Sequence, residues 1–312
     1  MTYSDDALAL QRPDLTALPR IGDRIAFLFL DQVRVEQGRT GLEAWGSDPT
    51  TGQPLRTSIP AAQLAVLCLG PGTSLTGPAM TTLYRSGTSL IITGADGVVA
   101  TAAARPLATD GRWATAQARL HTDTQRRLAA ARTLYQARFP DQPLPDNVPL
   151  ASLRGIEGHR VKSTYRTYAS QYKQPGFRRV TVGAADPVNI GLNRANSILY
   201  GVALAVTNAL GLSPALGIIH QGTSGAFLYD LADVYKTTVT IPAAFEATTH
   251  LHPDRQIGRL VRARLHDQRV LPNMLTLTQQ LLAGVVDDLA PNGDLLLDDH
   301  GYVPGLMNWA LA

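Results

Sequence analysis

The chain has 312 residues, of which 45% are hydrophobic and 17% are charged, and this composition is typical of a globular protein rather than a disordered one. The formal net charge of +3 is only mildly basic. Because Cys68 is the single cysteine, a disulfide framework and a cysteine-based zinc site are excluded. The first 20 residues lack the apolar core of a signal peptide, and the longest apolar stretch is too short to span a bilayer. We therefore expect a cytoplasmic protein that does not associate with a membrane.

The amino-terminal part has the pattern of short strands separated by turns. Residues 25–35, 64–69, 89–93 and 98–101 are predicted strands, since each is rich in apolar or β-branched side chains. One helix is predicted to interrupt them: Thr76 would cap it, Pro78 lies in its first turn and Gly87 ends it. Residues 106–111 are then predicted to form a linker.

Beyond Gly111 the hydrophobic pattern changes to a helical period. The predicted helices cover residues 113–138, 150–172, 188–210, 225–235, 254–266 and 275–289, and four prolines between residues 140 and 149 separate the first two. The predicted fold class is α+β, with a small β-rich amino-terminal domain at residues 1–105, the linker at 106–111 and a larger all-α domain at 112–312.

Four residues of the second half carry the strongest chemical signal: Glu157, His220, Asp230 and Asp233. The two aspartates lie three residues apart in an otherwise apolar helical segment, so they share one face of the helix. Two half-buried carboxylates at that spacing repel each other unless a cation compensates them. We therefore predict a divalent metal at this place.

The ligand types and their surroundings indicate what such a metal would do. Carboxylate oxygens and one imidazole suit Mn²⁺ and, with water completing the shell, Mg²⁺, although zinc uses the same ligands. Between residues 151 and 180 there are seven Lys or Arg residues and a single acid, Glu157. A metal embedded in basic sequence favours phosphodiester chemistry, in which it polarises the phosphoryl oxygen.

Each of these residues alone has a more ordinary interpretation. Glu157 alone would pair with Arg160 on the same helix face, His220 would be a hydrogen-bonded core histidine, and Asp230 would cap a helix or lie on the surface. Their joint occurrence favours the metal site.

Five sequence blocks resemble one known family. They are LRGIEG at 153–158, LYG at 199–201, HQG at 220–222, YDLAD at 229–233 and PAAFE at 242–246. In order and spacing they are similar to the CRISPR-associated spacer integrase, the adaptation endonuclease/integrase subunit, and the likeness is closest to subtype I-E. It extends from about Leu18 to Glu246.

The resemblance implies a function and a set of roles. The function is insertion of foreign DNA fragments into a CRISPR array by transesterification. Glu157, His220 and Asp230 would be the ligands of Mg²⁺ or Mn²⁺, with Asp233 as an acidic neighbour, and all four would be catalytic. The implied partners are double-stranded DNA (fragment and repeat), a second copy in a homodimer, and a small ferredoxin-like CRISPR adaptation protein that joins dimers into a larger complex. The amino-terminal domain would serve dimerisation and contact DNA ends.

Basic residues that would hold DNA phosphates follow from the same resemblance. They are Arg160, Lys162, Arg166, Lys236, Arg255, Arg259 and Arg262. Without it, the arginines after residue 254 would simply form the polar face of an amphipathic surface helix. A tyrosine stripe at 165, 168 and 172 is predicted to be core packing, while asparagines at 189, 193 and 196 would either orient the site or bond neighbouring helices.

The chain also departs from its relatives. Many carry an aromatic residue where this chain has Asp31 and Gln32, and arginines where it has Ser74 and Val99. Two alternative functions stay open: a general structure-specific, metal-dependent DNA nuclease, and a non-catalytic DNA-binding scaffold subunit. The complete metal quartet argues against the scaffold.

Overall fold

The structure is a computed structural model and describes residues 18–304 apart from residues 40, 49–50, 95–96, 103–105, 109–110, 147, 288, 290–294 and 299–300. The predicted α+β class is confirmed, since strands dominate before residue 103 and helices dominate after residue 111.

The amino-terminal part contains two four-stranded sheets. Its elements are β1 (Leu28–Leu30), β2 (Arg34–Gln37), β3 (Leu42–Ser47), β4 (Pro54–Ile59), β5 (Val66–Leu69), β6 (Ser74–Leu75), α1 (Gly77–Arg85), β7 (Ser89–Gly94) and β8 (Gly97–Ala102). One sheet has the order β1-β5-β7-β8 and the other the order β4-β3-β2-β6. The first is parallel except for the antiparallel hairpin of β7 and β8.

The single strand predicted at 25–35 is wrong, because the chain breaks there into β1 and β2, which belong to different sheets. Gln32 lies between them with a φ of 52°, a left-handed conformation that ends an extended run. Strands β3, β4 and β6 were not predicted. Helix α1 starts after Thr76 as expected, but the Thr76 side chain makes no capping hydrogen bond. Gly87, with a φ of 67°, follows the end of the helix.

The part after residue 111 is mainly helical. Its helices are α2 (Arg112–Thr122), α3 (Thr124–Arg138), α4 (Leu150–Gln171), α5 (Pro187–Ala209), α6 (Ala226–Tyr235), α7 (Ile241–Ala247), α8 (Pro253–Asp267) and α9 (Val270–Asp287), and a π-helical turn (Lys236–Thr240) joins α6 to α7. A hairpin of β9 (Leu295–Asp298) and β10 (Gly301–Pro304) follows.

The predicted helix at 113–138 is two helices. Asp123 separates them, and its carboxylate accepts hydrogen bonds from the backbone N–H groups of Gln125 at 2.9 Å and Arg126 at 3.0 Å. An aspartate at that position caps α3 and stops α2. The predicted helix at 275–289 begins five residues early, at Val270, and ends at Asp287.

The main hydrophobic core spans both parts of the chain. Helix α5 is buried almost throughout, and its Leu199 and Val202 pack with Val66 and Ile91 of the first sheet. At Gly201 the contact is so close that a Cβ atom would lie 2.2 Å from Ile91 Cδ1. A side chain at this position would therefore require the Ile91 side chain to move within the packed core. The division into domains at residues 106–111 stays a prediction.

Within the described part of the chain, every helix is too short or too polar to cross a lipid bilayer.

Candidate metal centre and its basic cleft

A cavity of about 420 Å³ contains all four residues of the predicted metal quartet. Its walls come from the end of α3, the first half of α4, the segment before α6, and α6 itself. The lining residues are Leu134, Tyr135, Arg138, Arg154, Glu157, Ile219, His220, Gln221, Asp230, Asp233 and Val234. The structure thus brings together four predicted residues that are up to 76 positions apart in the sequence.

The carboxylate of Asp230 binds the segment that carries His220. The residue is 1% exposed, and Oδ2 of its carboxylate accepts hydrogen bonds from the backbone N–H groups of Ile218 and Ile219. Its Oδ1 accepts from the backbone N–H of His220 at 2.9 Å and lies 2.7 Å from His220 Nδ1. Both oxygens are therefore engaged with residues 218–220.

The contact with Asp230 fixes the orientation of the His220 ring. Because a carboxylate can only accept, the proton of the neutral ring lies on Nδ1 and the lone pair lies on Nε2. Nε2 is 3.9 Å from Asp233 Oδ2, so it faces the interior of the cavity. The hydrogen bond to Asp230 raises the pKa of His220, although burial opposes the shift.

Glu157 and Asp233 meet at the guanidinium group of Arg138. Arg138 Nη1 donates a hydrogen bond to Glu157 Oε1 and lies 3.5 Å from Asp233 Oδ2. Burial raises the pKa of Glu157, and the attraction of Arg138 offsets only part of this effect. The residue Arg138 was not identified from the sequence, because nothing in its position relates it to either carboxylate.

Lys236 completes the charge pattern at the other side of Asp233. Its Nζ lies 2.6 Å from Asp233 Oδ1 and donates to the Tyr200 hydroxyl at 2.8 Å. Burial pushes the pKa of Asp233 upward, but Lys236 and Arg138 outweigh it and the net pKa is lowered. Burial lowers the pKa of Lys236, whereas Asp233 and Tyr200 raise it, and the net pKa is raised. Lys236, predicted to hold DNA, thus lies inside the site.

The donor set suits a divalent cation, although it is not assembled around one. Among the described residues, no three of the His, Cys, Asp and Glu side chains lie close enough together to hold a metal ion as they stand. Glu157, Asp233 and His220 Nε2 nevertheless converge on one cavity and offer two carboxylates and one imidazole nitrogen. The prediction that Asp230 is the third ligand stays untested, but its contacts favour Asp233 for that role.

A larger cleft of about 1260 Å³ adjoins the cavity at Glu157. It is lined by the second half of α4 and by residues 173–179. Lys162 and Arg166, both predicted to bind DNA, are exposed along it. Lys173, Arg178 and Arg179 add three further cations that the sequence analysis had counted as basic residues without assigning them a role. The basic stretch therefore forms one surface that leads to Glu157.

Two asparagines of α5 bind the loop that carries Arg179, one of the residues that line the cleft. Asn189 Oδ1 accepts from Arg179 Nη1 at 3.0 Å and from the backbone N–H of Val180 at 2.9 Å. Asn193 Oδ1 accepts from Arg179 Nη2 at 2.6 Å, and its Nδ2 donates to the Thr181 carbonyl at 3.0 Å. Both side chains thus bind the loop that carries Arg179, which favours the hypothesis that they orient the site, while the role of Asn196 stays a prediction.

The remaining predicted DNA contacts have other places. Arg160 packs 5.4 Å from the Phe139 ring and donates to the Pro143 carbonyl at 3.1 Å. Arg259 and Arg262 are exposed on α8 and line neither cavity. The side chain of Arg255, at the start of the same helix, lies outside the described residues, as does that of Val99.

The predicted role of the tyrosine stripe is confirmed. Tyr168 stacks on Phe245 with ring centroids 6.0 Å apart, Tyr172 lies 6.4 Å from the same ring, and Tyr165 lies 5.5 Å from Phe177. These rings pack α4 against α7 and support the wall of the cleft.

The sequence of this chain matches the profile of a family described as CRISPR associated protein Cas1 over residues 141–251. This segment carries Glu157, His220 and both aspartates. The chain is also 34% identical to a CRISPR-associated endonuclease Cas1 of Clostridium sp. (strain SY8519), across 80% of this chain and 82% of that protein. The chain belongs to the Cas1 family.

The likeness extends to other Cas1 proteins. The CRISPR-associated endonuclease Cas1 of Escherichia coli (strain K12) is 33% identical across 87% of this chain and 90% of its own length. A solved structure described as a TtCas1–DNA complex matches with a TM-score of 0.76 at 33% identity, covering 89% of this chain and 99% of that one. The family resemblance predicted from the sequence blocks is confirmed, while the assignment to subtype I-E stays a prediction.

Proposed function

We propose that this Cas1 protein is a metal-dependent DNA endonuclease and integrase of CRISPR adaptation, which inserts DNA fragments into the CRISPR array. The observation that carries the proposal is the position of His220 Nε2. With Nδ1 bound to Asp230, Nε2 lies 3.9 Å from Asp233 Oδ2 in a cavity that Glu157 also lines, and Glu157 lines the basic cleft as well. Such a cavity suits a metal, and such a cleft suits a polyanion.

The residues that would hold Mg²⁺ or Mn²⁺ are Glu157, His220 and Asp233. We assign Asp230 the supporting role, because a metal-bound imidazole is commonly oriented by a carboxylate on its other nitrogen. A bound divalent ion would supply charge stabilisation at the phosphoryl oxygen and the leaving oxygen. The rest of the work falls to residues of the chain.

The proposed reaction is a transesterification. The 3′-hydroxyl of the fragment gives up its proton, and its oxygen forms a bond to phosphorus at the repeat boundary. The bond from phosphorus to the 3′-oxygen of the repeat strand breaks, and that oxygen leaves with a proton as a 3′-hydroxyl. One phosphodiester replaces another, so ATP is not consumed. The chain must hold the attacking and leaving oxygens in line, and the clamped Arg179 and the exposed Lys162 and Arg166 are placed to bind the flanking phosphates.

The proposed partners are double-stranded DNA, a second copy of the chain and a small ferredoxin-like adaptation protein. DNA is supported by the basic cleft and by the relative at 33% identity whose structure is a DNA complex. The cytoplasm, where DNA is accessible, is the proposed location.

A joining assay tests the proposal. A labelled duplex fragment with 3′-hydroxyl ends is incubated with repeat-containing DNA and Mn²⁺, with and without the small partner, beside a matched fragment with 3′-deoxy ends. Joined strands should form only with 3′-hydroxyl ends and mainly in the assembled complex, because strand transfer needs the nucleophile within reach of phosphorus.

Two other outcomes identify the alternatives. Cleaved DNA without joined strands under every condition would favour a general structure-specific nuclease, which uses water on the same site. DNA binding with neither product would favour a non-catalytic scaffold.

A further inference from the structure

Arg138 has an environment that the proposed reaction does not explain. Its side chain is only 5% exposed, and one nitrogen, Nη1, contacts both Glu157 Oε1 and Asp233 Oδ2. Its Nε is buried without a hydrogen-bond partner. Burying a guanidinium with one unsatisfied donor costs desolvation free energy. The two carboxylate contacts offset this cost and hold the side chain in its buried position.

The two carboxylates that Arg138 joins are the ones proposed to hold the divalent ion. One oxygen of each carboxylate, Glu157 Oε1 and Asp233 Oδ2, now faces Arg138 Nη1, so the guanidinium would compete with a divalent ion for these two residues. The ion would also meet two positive charges at short range, from Arg138 on one side of Asp233 and from Lys236 on the other. Like charges at such distances in a partly desolvated cavity repel strongly.

A charge count gives the same result. Glu157, Asp230 and Asp233 provide three negative charges, while Arg138, Arg154 and Lys236 provide three positive ones, which leaves no net charge with His220 neutral. Without Arg138 the count would be −1, which attracts a cation.

We propose that Arg138 is an internal cation that competes with the divalent metal, so that the free protein binds the metal weakly and DNA phosphate raises the affinity. This inference rests on the proposed metal site. When the metal enters, the guanidinium must give up at least one carboxylate, and a DNA phosphate offers it a new partner. Metal and DNA then bind with positive coupling, and the coupling is reciprocal by thermodynamic linkage.

The experiment measures Mn²⁺ affinity of the full chain by calorimetry for the wild type, Arg138→Gln and Arg160→Gln. Each protein is titrated alone and with a short duplex, and the duplex alone is subtracted. Arg160→Gln is the matched control, because Arg160 contacts the same Phe139 ring as Arg138 and its substitution also removes one positive charge. Arg160 donates to the Pro143 carbonyl rather than to a carboxylate.

We expect Arg138→Gln to bind Mn²⁺ about tenfold or more tightly than the wild type in the absence of DNA, because one repelling charge is gone. Its further gain from DNA should be smaller than that of the wild type, and Arg160→Gln should match the wild type without DNA. Equal or weaker Mn²⁺ binding by Arg138→Gln would overturn the inference.

Arg138→Lys serves if the glutamine variant does not fold, as judged by circular dichroism. The lysine side chain is one bond shorter, so its ammonium group should lie farther from the two carboxylates than Arg138 Nη1 does. The Mn²⁺ affinity of this variant should therefore still exceed that of the wild type, and an unchanged affinity would overturn the inference. A wild-type protein with no Mn²⁺ site even on DNA would overturn the proposed metal site as well. If the wild type binds Mn²⁺ and the Arg138 variants bind it no more tightly, only the inference about Arg138 is overturned.

Discussion

The small cavity and the basic cleft share Glu157 but differ in how their charges are held. In the cavity each carboxylate has a fixed partner: Asp230 has the 218–220 backbone, Asp233 has Lys236, and Glu157 has Arg138. In the cleft, Lys162 and Arg166 extend into solvent. The paired, half-buried charges of the cavity determine its chemistry, because a small change in the distance between two such charges alters their interaction energy greatly. The exposed cations of the cleft each add a modest increment to DNA affinity, and salt weakens that increment.

The largest expected effect is at the cavity. Asp233→Asn or Glu157→Gln should reduce joining by about 10³-fold or more, because the divalent ion loses an anionic ligand. DNA affinity in EDTA should change little, since the cleft is intact. Joining assays and filter binding on the same preparations measure the two quantities. A variant that joins DNA at the wild-type rate would remove its residue from the ligand set.

Asp230 should behave differently from its neighbour. Asp230→Asn keeps the shape but presents an NH₂ group where backbone N–H donors and His220 Nδ1 now point, so one or more of these donors loses its acceptor. We expect joining to fall about 10- to 100-fold. The free energy of unfolding should fall by about 1–3 kcal/mol.

Urea titration and Mn²⁺ calorimetry distinguish this role from that of a ligand. If Asp230→Asn abolishes Mn²⁺ binding while leaving stability unchanged, Asp230 is the ligand that the sequence analysis predicted, and Asp233 is not.

In the cleft, the expected effect of a substitution is a change in the salt dependence of DNA affinity. Each of Lys162→Ala and Arg166→Ala should lower the slope of log affinity against log salt by about one, because one phosphate contact is lost. Arg119, exposed on α2 and outside both cavities, is the control and should leave the slope unchanged. Identical slopes for all three variants would mean that DNA does not follow this cleft.

Asn193 tests whether a clamped cation matters more than an exposed one. Asn193→Ala removes the acceptor of Arg179 Nη2 and should weaken DNA binding severalfold, less than Arg179→Ala does. If the asparagine acts through the arginine, the double variant should bind about as Arg179→Ala does, since coupled residues are not additive. Additive losses in binding free energy would show that the two act separately.

The smallest effect is expected on α8. Arg259 and Arg262 line neither cavity, so Arg259→Ala and Arg262→Ala should each weaken DNA binding about twofold, and similarly for unrelated sequences. A change in salt slope would make this face a second phosphate track. No change would make it an ordinary amphipathic surface.

The four residues of the site could be predicted from the sequence, but their division of labour could not. The spacing of Asp230 and Asp233 places both on one helix face, yet it does not say which carboxylate meets Nδ1 of His220 and which lies near Nε2. That depends on the turn at residues 218–220, whose N–H groups all point at Asp230. Arg138 was missed for a related reason, since its contact with Glu157 exists only after α3 and α4 pack together.

Four helices after residue 140, namely α4, α5, α6 and α8, were predicted to within one residue at each end, because each begins beside a proline or glycine. Helix α7 was not predicted, and α9 begins five residues before its predicted start. The errors came where one local feature overrides a continuous pattern. Asp123 interrupts a helical run with a cap, and Gln32 interrupts a strand with a left-handed backbone. Neither residue type announces such a break by itself.

The close packing at Gly201 limits how far the protein can be truncated. Its neighbour Tyr200 makes two contacts with Lys236: the hydroxyl accepts a 2.8 Å hydrogen bond from Nζ, and the ring centroid lies 4.9 Å from the ammonium. Lys236 in turn pairs with Asp233. The sheet residue Ile91 presses on the same turn of α5. A helical fragment cut free of its sheet would expose that turn to water, so a minimal catalytic version has to retain β5 and β7.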